Sequence, residues 1–559
     1  MHVGVDVGGT YTDAVLLDHD VVRANAKVPT KKDLLESILE ALDLILKDVN
    51  AKDISRIVFS TTIITNLIAG KKYDKVALLL MPGPGMSNQG YDFKTKSIIL
   101  SGAIDYRGRE IIALNEKEVE AALSELAAEG FNKVGIIGKF SPRNNVHERR
   151  VAAIVQEKYP GWQVELGYQA GPQLNFPRRV VSTYLTCATR RPYSDFVQSV
   201  RQALEKREIG ADFYILKADG GTFPLDSSVE QPVETIFSGP AASTLGVQAL
   251  TPPEVTAVVV DIGGTTTDIA LILNGQPLLS AKGARVEGQL TQVRTLAVKS
   301  VPAGGDSRLE QVGGQIIIHP ERVGPAFCMG GPAPTPTDAL RVLGMTTLGD
   351  ADKAAEAMES LGTPCGWTAA ETADKVVSLV VESITSEVQK MFLEWEQEPA
   401  YRIWELLQKR KVQPSIVVGA GGGAEGFIPQ IAERLACEPV IPPYAPVANA
   451  IGAAVARPTV QMSLRADTEQ GYYTIREEGI QEKIDRRSFN EQKALALAKE
   501  KLIEKSEKYG LAVAPDEIEI TSQEVFNMVR GWDTAGRLYD LTVQTPRGIT
   551  GRIKMGGNQ

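Results

Sequence analysis

The chain has 559 residues, of which 43% are hydrophobic and 23% charged, and its formal net charge is −9. This length suits two or three domains, and the composition is typical of a globular protein. The acidic balance argues against nucleic-acid binding, because no basic excess is present to neutralise phosphates. No apolar run approaches the roughly 18 residues that span a bilayer, and no C-x-x-C pair indicates zinc or iron–sulfur binding. The chain enters a strand without a leader-like segment, so we expect a cytoplasmic protein without a membrane partner.

A β-hairpin is predicted at the start of the chain. Aliphatic and β-branched residues over 3–7 and 14–17 flank the glycine pair Gly8-Gly9. The same order of residues recurs at 259–272, around Gly263-Gly264. Two distant copies of one pattern predict two similar lobes, each opening with a hairpin.

Helical and strand patterns alternate between the two copies. Helices are expected at 34–46, 116–129 (after Asn115, a favourable N-cap) and 147–158, and strands at 56–60, 76–80 and 134–137. Such alternation favours an α/β fold.

The pattern of predicted elements changes after the second copy. A Gly/Pro-rich loop is expected at 325–337 and a mainly helical stretch at 369–411. The strand 415–418 leads into a glycine turn, and a short apolar helix is expected at 448–456. A charged helix at 494–508 and a strand at 537–544 indicate a small α+β domain. The predicted domains are 1–235, 236–459 and 460–559.

The two hairpins have the features that a triphosphate requires. A glycine turn lets backbone N–H groups approach phosphate oxygens, threonine hydroxyls add donors, and an aspartate can hold Mg²⁺ through its waters. One copy alone is also compatible with an ordinary turn; two copies favour a clamp around ATP and Mg²⁺. The residues concerned are Asp6, Gly8, Gly9, Thr10 and Thr12, and Asp261, Gly263, Gly264, Thr265, Thr266 and Thr267.

The later glycine turn contains Gly421, Gly422 and Gly423 and suits the flat face of an adenine ring. It also partly matches the dinucleotide fingerprint G-x-G-x-x-G. A dinucleotide site normally opens its domain, whereas this turn follows two phosphate hairpins. We therefore interpret it as an adenosine turn.

The order of these motifs resembles that of the actin-like ATPase superfamily. The resemblance rests on 6–13, 238–246, 261–268, 419–424 and 449–454. It implies an α/β fold of duplicated, ribonuclease-H-like lobes with an ATP cleft between them, followed here by the small α+β domain. It also implies nucleotide contacts by Gly304, Gly305, Asp306 and Asn449, metal binding by Asp6 and Asp261, and catalytic roles for Asp6, Asp261, Thr12 and Asp268.

Over residues 1–456 the chain resembles, more specifically, the hydantoinase/oxoprolinase family. The matching stretches are 60–66, 140–150, 178–185, 217–221, 238–242 and 331–344. The resemblance implies an ATP- and Mg²⁺-dependent hydrolase subunit that phosphorylates a cyclic amide or activates a related carbonyl compound, with a second, B-type subunit completing the reaction. Thr61, Thr62, Asn66 and Asp219 are substrate candidates, although Asn66 is equally explained as a helix cap.

The chain also departs from the family pattern. The segment 297–302 lacks the usual acidic residue and histidine, Asp306 replaces a glycine, and Ser60 stands where glycine is usual. A non-catalytic ATP-driven switch or activator is therefore the alternative hypothesis, and a homo-oligomer is possible. His147 and His319 have no partner at metal-ligand spacing, and Glu148 is interpreted as part of a solvated helix face.

Overall fold

A computed structural model describes residues 1–85, 95–319, 321–397, 412–530 and 533–554. The first part of the chain forms two sheets and their covering helices. Its strands are β1 His2–Val7, β2 Tyr11–Asp18, β3 Val21–Pro29, β4 Arg56–Thr61, β5 Ala77–Met81, β6 Ser97–Ile99, β7 Ala103–Ile104, β8 Glu110–Ile112, β9 Lys133–Gly138, β10 Gln163–Leu166, β11 Asp212–Leu216 and β12 Thr222–Pro224. Its helices are α1 Leu34–Ile45, α2 Ile63–Ala69, α3 Glu116–Ala128, α4 Val146–Lys158, α5 Gly167–Ala170 and α6 Phe176–Glu205.

The remaining elements follow in chain order. The strands are β13 Ala257–Ile262, β14 Thr267–Leu273, β15 Gln276–Pro277, β16 Arg285–Val286, β17 Gln289–Leu290, β18 Val298–Val301, β19 Leu309–Val312, β20 Gln315–Ile318, β21 Ile416–Ala420, β22 Glu438–Val440, β23 Gln461–Asp467, β24 Tyr472–Ile475, β25 Ile480–Lys483, β26 Glu519–Arg530 and β27 Asp533–Gln544. The helices are α7 Ser238–Leu250, α8 Pro336–Val342, α9 Ala351–Gly362, α10 Ala369–Gln397, α11 Ala424–Leu435, α12 Ala448–Val455 and α13 Glu491–Lys508.

The two principal sheets share one arrangement around their first hairpins. The first has the order β12-β11-β4-β1-β2-β3, and the second β15-β14-β13-β21-β22 with β18 against β14. In each, the first strand pairs antiparallel with the next strand and parallel with a later one. Asp6 faces Asp13 in the first hairpin as Asp261 faces Asp268 in the second. The predicted duplication is therefore confirmed, and equivalent residues occupy equivalent strand ends.

Amphipathic helices complete each lobe by covering its sheet. Helix α1 begins at the N-cap Asp33, whose carboxylate accepts from the Leu35 N–H, and it buries Ile38 and Leu42 on one face. In the second lobe α10 buries Val380 and Ile384 in the same way. Residues four apart lie on one helix face, so the apolar spacing dictates which side meets the sheet.

Helices α7 and α12 cross in close contact between the two lobes. A Cβ atom on Gly246 would lie 1.9 Å from the Ala448 carbonyl oxygen, and one on Gly452 would lie 1.8 Å from that of Ala242. Gly4 in β1 allows a similar approach to α12. Only glycine permits this separation, because any side chain would overlap the facing backbone.

The last strands form a separate five-stranded sheet, β25-β24-β23-β27-β26, covered by α13. The chain enters this sheet beside β12, where the Thr459 N–H donates to the Thr222 carbonyl at 2.9 Å. After β27 it returns across both lobes: the Ile553 N–H donates to Ala249 in α7, and the Lys554 N–H donates to Asp20 in the β2–β3 turn. The α/β fold with an added α+β unit is confirmed, while the domain limits 1–235, 236–459 and 460–559 stay a prediction.

One sequence interpretation is wrong, and another reaches beyond the described residues. Glu148 is fully buried, not solvated, and its carboxylate accepts from the Gly138 N–H at 2.7 Å and the Tyr168 N–H at 3.0 Å. The predicted helix 369–411 is observed as far as Gln397, and 398–411 lie outside the described residues. No helix in the described ranges is both long and apolar enough to cross a membrane.

Candidate active site

The two hairpin turns have the same backbone hydrogen bond. The Gly8 N–H donates to the Tyr11 carbonyl at 3.0 Å, and the Gly263 N–H donates to the Thr266 carbonyl at 3.0 Å. A Cβ atom on Gly9 would meet no described atom within 4 Å, so the first turn faces open space. Both turns therefore present backbone at the carboxyl ends of the first strands of their lobes.

The aspartates that precede the turns converge on one amide. The Asn449 side chain, in α12, donates to Asp6 Oδ2 at 3.2 Å and is also close enough to favour the ionised form of Asp261. Asp6 is only 4% exposed. Strands from opposite lobes thus direct two carboxylates to a common point.

The electrostatics of this pair favour a bound cation. Burial raises the pKa of Asp6, and the nearby Asp261 carboxylate raises it further. Burial also raises the pKa of Asp261. No group of three or more His, Cys, Asp or Glu side chains among the described residues is arranged to hold a metal. The two carboxylates fit Mg²⁺, which takes few protein ligands and completes its shell with waters and phosphate oxygens.

A second carboxylate flanks each of these aspartates. Burial raises the pKa of Asp13 to about 7, although Lys27 Nζ lies 2.8 Å from its Oδ1. Lys27 Nζ also donates to the Pro446 carbonyl at 2.9 Å, just before α12. Burial raises the pKa of Asp268 to about 6, and the Ser300 hydroxyl donates to its carboxylate. Four carboxylates therefore cluster at the two turns, and Lys27 is paired with one of them.

The predicted threonines divide into two groups. Thr12 and Thr267 are buried: the Thr12 and Thr30 hydroxyls lie 3.0 Å apart, and the Thr267 hydroxyl donates to the Ala303 carbonyl at 2.6 Å. The other hydroxyls form no side-chain hydrogen bond within the described parts of the chain and are partly exposed: Thr10, Thr265 and Thr266. The second group is thus free to meet a ligand, whereas the first supports the turns.

The second hairpin is held by the turn that contains Gly304, Gly305 and Asp306. The Gly305 N–H donates to the Gly263 carbonyl at 2.9 Å, and the Asp306 N–H donates to the Gly264 carbonyl at 2.7 Å. A Cβ atom on Gly304 would lie 2.5 Å from the Thr265 nitrogen, so glycine is required there. Asp306 stands where the family usually has glycine. Its carboxylate forms a salt bridge of 2.9 Å with Arg322, which balances its charge at this position.

The glycine turn after β21 lies against Asp261. Gly421 has a φ of +79°, and a Cβ atom there would lie 2.6 Å from Asp261 Oδ1. The Gly423 N–H donates to the Ile262 carbonyl at 3.2 Å, whereas Gly422 faces open space. The structure therefore brings together the second hairpin and the predicted adenosine turn.

The substrate candidates are placed in two locations. Thr62 lies beside the first hairpin, where its hydroxyl donates to the Val7 carbonyl at 3.2 Å, and Asn66 Nδ2 donates to the Thr62 hydroxyl. The Thr61 N–H donates to the Ser238 hydroxyl at the start of α7. Asp219 instead lines a separate cavity, together with Lys217 and residues of the last domain.

Sequence reasoning missed several supporting residues. Lys27 on β3 and Thr30, directly after that strand, reach the first hairpin, and the Thr337 hydroxyl donates to the Gly305 carbonyl at 2.8 Å. Lys27 lies on the exposed face of β3, and a lysine on such a face is usually solvated. The sequence therefore gives only a weak signal that Lys27 points into the cleft.

The duplicated lobes, each opening with a hairpin and a glycine turn, define an actin-like ATPase fold. A family model described as "Hydantoinase/oxoprolinase" matches residues 179–462, and one described as "Hydantoinase/oxoprolinase N-terminal region" matches 2–159. The chain belongs to the hydantoinase/oxoprolinase family.

Similar proteins include members with named activities. Caprolactamase subunit alpha of Pseudomonas jessenii is 25% identical over 488 residues, which are 79% of this chain and 68% of that one. The crystal structure of ATP-dependent caprolactamase from the same organism has a TM-score of 0.74, with 20% identity over 100% of this chain and 89% of that one. A nucleotide-free acetone carboxylase structure has a TM-score of 0.70, with 18% identity over 97% of this chain and 87% of that one. At these identities the structural matches establish the fold.

Proposed function

We propose that this chain is an ATP-dependent enzyme subunit that activates a cyclic amide or a related carbonyl compound. Hydrolysis or further conversion of the activated compound would be completed with a second subunit. The observation that carries the proposal is the convergence of Asp6 and Asp261 on Asn449, between two hairpins that offer free backbone and hydroxyl donors. The similar proteins act on a lactam or a ketone according to their names, which supports the substrate class.

The proposed nucleotide position follows from the placement of the turns. The first hairpin (Gly8, Gly9, Thr10) and the second (Gly263–Thr266) would hold the β- and γ-phosphates, and 421–423 would lie against adenosine. Asp6 and Asp261 would hold Mg²⁺ through its waters, and this ion would neutralise charge on the phosphates. Asn449 would fix the separation of the two carboxylates.

The proposed reaction removes the resonance that protects an amide from water. The amide oxygen attacks the γ-phosphorus, the bond from that phosphorus to the β–γ bridging oxygen breaks, and ADP leaves with the electron pair. The amide nitrogen loses its proton to water in this step, and the product is an O-phosphorylated imidate, whose carbon is a better electrophile than the amide carbon. Donors from both turns stabilise the negative charge on the transferring group. Thr12 and Asp268 would act by positioning, since their side chains bond to the frame of the turns.

Substrate and partner are proposed from position and resemblance. Thr61, Thr62 and Asn66 lie beside the first hairpin and so are the candidates nearest to a γ-phosphate. Similar chains carry subunit names, among them caprolactamase subunit alpha, which supports a B-type partner here. This proposal includes Mg²⁺ as the bound ion. It also includes hydrolysis of the substrate, rather than carboxylation, as the overall reaction.

An ATP-driven switch is the second candidate. The observation that favours it is the crossing of α7 and α12, where backbone meets backbone at Gly246 and Gly452. Such a contact transmits movement of one lobe to the other. A switch would hydrolyse ATP in response to a partner protein rather than to a small molecule.

A substrate screen distinguishes the two candidates. ADP formation is followed with Mg²⁺, ATP and a panel of hydantoins, 5-oxoproline and lactams, with and without the second subunit. Stimulation by a small molecule supports the enzyme, and stimulation by a protein alone supports the switch. Asp261→Asn should lower turnover by about 100-fold or more, while Asp48→Asn, on the exposed surface, should leave it unchanged. Normal turnover in Asp261→Asn would contradict the proposed site.

A further inference from the structure

A row of paired residues crosses the hairpin strands of each lobe at equivalent positions. In the first sheet the row runs over β4, β1, β2 and β3 and consists of Ser60, Asp6, Asp13 and Lys27. In the second sheet it runs over β21, β13, β14 and β18 and consists of Ala420, Asp261, Asp268 and Ser300. Directly paired residues lie on the same face of a sheet. The two rows therefore match at their aspartates and differ at the outer end, where one has a lysine and the other a serine.

The Lys27 ammonium group is fully engaged by the protein. Its Nζ lies 2.8 Å from Asp13 Oδ1, 3.0 Å from Asp13 Oδ2 and 2.9 Å from the Pro446 carbonyl oxygen. An ammonium group has three N–H donors, and these three contacts account for all of them. Lys27 therefore has no donor left for a phosphate, and its effect on a nucleotide must come through the groups that it holds.

The second lobe shows that a hairpin of this kind does not need a lysine. The Ser300 hydroxyl donates to the Asp268 carboxylate. The turn at Gly263 nevertheless closes with the same backbone hydrogen bond as the turn at Gly8, 3.0 Å long in both. The feature that sets Lys27 apart is thus its third contact, to a carbonyl group outside the first sheet.

Pro446, which supplies that carbonyl, lies in the short segment between the second sheet and α12. The carbonyl of the preceding Ala445 accepts from the Gly421 N–H at 3.4 Å, and Gly421 belongs to the proposed adenosine turn. Three residues after Pro446, the Asn449 side chain donates to Asp6 at 3.2 Å. This segment therefore contacts the proposed adenosine turn on one side and the first hairpin on the other.

We propose that Lys27 is a positioning residue that holds the segment 445–449 against the first lobe, and that binding of Mg²⁺–ATP depends on this link. The inference rests on the proposed function, because it takes the hairpins and the glycine turn as the nucleotide site. Without Lys27 the segment loses a charge-assisted hydrogen bond to β3. In addition Asp13, which is only 6% exposed, is left without its cationic partner.

The first test separates these two consequences by isothermal titration calorimetry with Mg²⁺–ATP. Lys27→Met should raise the Kd about tenfold or more, because it removes hydrogen bonds made by a charged group. Asp13→Asn keeps the contact of Lys27 with Pro446, whereas Lys27→Met/Asp13→Asn lacks both the contact and the unpaired carboxylate. The double variant should bind about fivefold or more weakly than Asp13→Asn. Equal Kd values for these two variants would overturn the inference, and the comparison remains possible if Lys27→Met alone does not fold.

A second ion pair on the same two strands provides the control. Arg23 on β3 forms a salt bridge of 2.7 Å with Asp18. Asp18 is the last residue of β2, at the opposite end of that strand from the first turn. Arg23→Met and Asp18→Asn should therefore leave the Kd for Mg²⁺–ATP unchanged.

The second test measures the position of the segment without nucleotide. In hydrogen–deuterium exchange followed by mass spectrometry, Lys27→Met should raise the exchange of amides in 445–455, and Arg23→Met should not. Unchanged exchange in Lys27→Met would overturn the inference even if ATP binding weakens, because the lysine would then act by its charge alone. If the unmodified protein binds no Mg²⁺–ATP, the proposed function fails, and the exchange measurement still decides whether Lys27 holds this segment.

Discussion

Asn449 and Asp6 lie 443 positions apart in the chain and are joined by a hydrogen bond of 3.2 Å. The bond connects α12 to the first strand of the protein, and the same amide stabilises Asp261. A neutral donor between two carboxylates reduces their repulsion without competing for a cation. Asn449 is therefore the residue that links the aspartates of the two lobes.

Substitution of Asn449 tests this role. Asn449→Asp places a third carboxylate beside the pair, and we expect at least tenfold weaker binding of Mg²⁺–ATP, because hydrogen bonds to charged groups contribute about 1.5–3 kcal/mol. Asn132→Ala, with an exposed side chain, is the control. Calorimetry with Mg²⁺–ATP gives the result, and unchanged affinity in Asn449→Asp would remove this residue from the site.

The close crossing of α7 and α12 predicts that one methyl group added at the contact lowers the stability of the protein. In Gly452→Ala the new Cβ would overlap the Ala242 carbonyl oxygen, so α7 and α12 must separate. We expect the free energy of unfolding to fall by about 1–3 kcal/mol, as in other overpacked sites. Gly239→Ala, in the first turn of α7 and facing open space, should be nearly neutral. Urea denaturation measures both, and equal stability of the two variants would show that the helices are not in contact.

A substitution of Gly9 in the first hairpin turn should affect ATP binding without affecting folding. A Cβ atom at Gly9 meets no described atom within 4 Å, so Gly9→Ala should keep the melting temperature of the unmodified protein. The added methyl group would stand where the phosphates are proposed to approach, and affinity for ATP should fall about tenfold or more. Gly161→Ala, which is equally unobstructed, should change neither quantity. Unaltered ATP affinity in Gly9→Ala would place the phosphates elsewhere.

Glu234 should make stability depend on pH. Burial raises its pKa to about 7; Lys217 and Arg294 oppose the change, and Asp219 adds to it. The unfolded chain releases this proton near the ordinary value of 4.5, so the native state holds more protons between these values. The stability contribution of Glu234 is therefore highest at low pH and falls as pH rises from about 4.5 to 7.

Replacement by glutamine removes this dependence. Relative to the unmodified protein, Glu234→Gln should change stability little at pH 4.5 and increase it at pH 8, by at most about 3 kcal/mol. Urea denaturation at the two pH values gives the difference. The exposed Glu356→Gln should show no pH-dependent difference. A gain of the same size at both pH values would contradict the raised pKa.

The parts of the fold that sequence predicted correctly are those set by local pattern. Both hairpins follow from glycine pairs between aliphatic strands, and α3 begins after its predicted cap, where Asn115 accepts from the Lys117 N–H. Glu148 shows the opposite case. Its neighbours Arg149 and Arg150 indicate an exposed face, but the carboxylate is buried because it satisfies backbone N–H groups of two other elements.

The supporting residues of the site could not be predicted, because their contacts are distant in sequence. Thr337 reaches Gly305, and Lys27 reaches Pro446, only after the lobes have packed. The lining of one cavity is harder still to predict: Arg294 lies in the segment after β17 and Arg547 in the segment after β27, and no short motif contains either. Sequence patterns predict turns well, but they carry no information on which separate segments meet.

The returning segment after β27 has a mechanical consequence. It ties α7 at Ala249 to the β2–β3 turn at Asp20, and that turn lies at the far end of β2 from Gly8, about 25 Å along the strand. A tie at the rear of the molecule acts as a pivot. A small rotation about this tie would leave the rear nearly stationary and would move the two glycine turns farthest. The space between the turns would then widen while the rear stays closed.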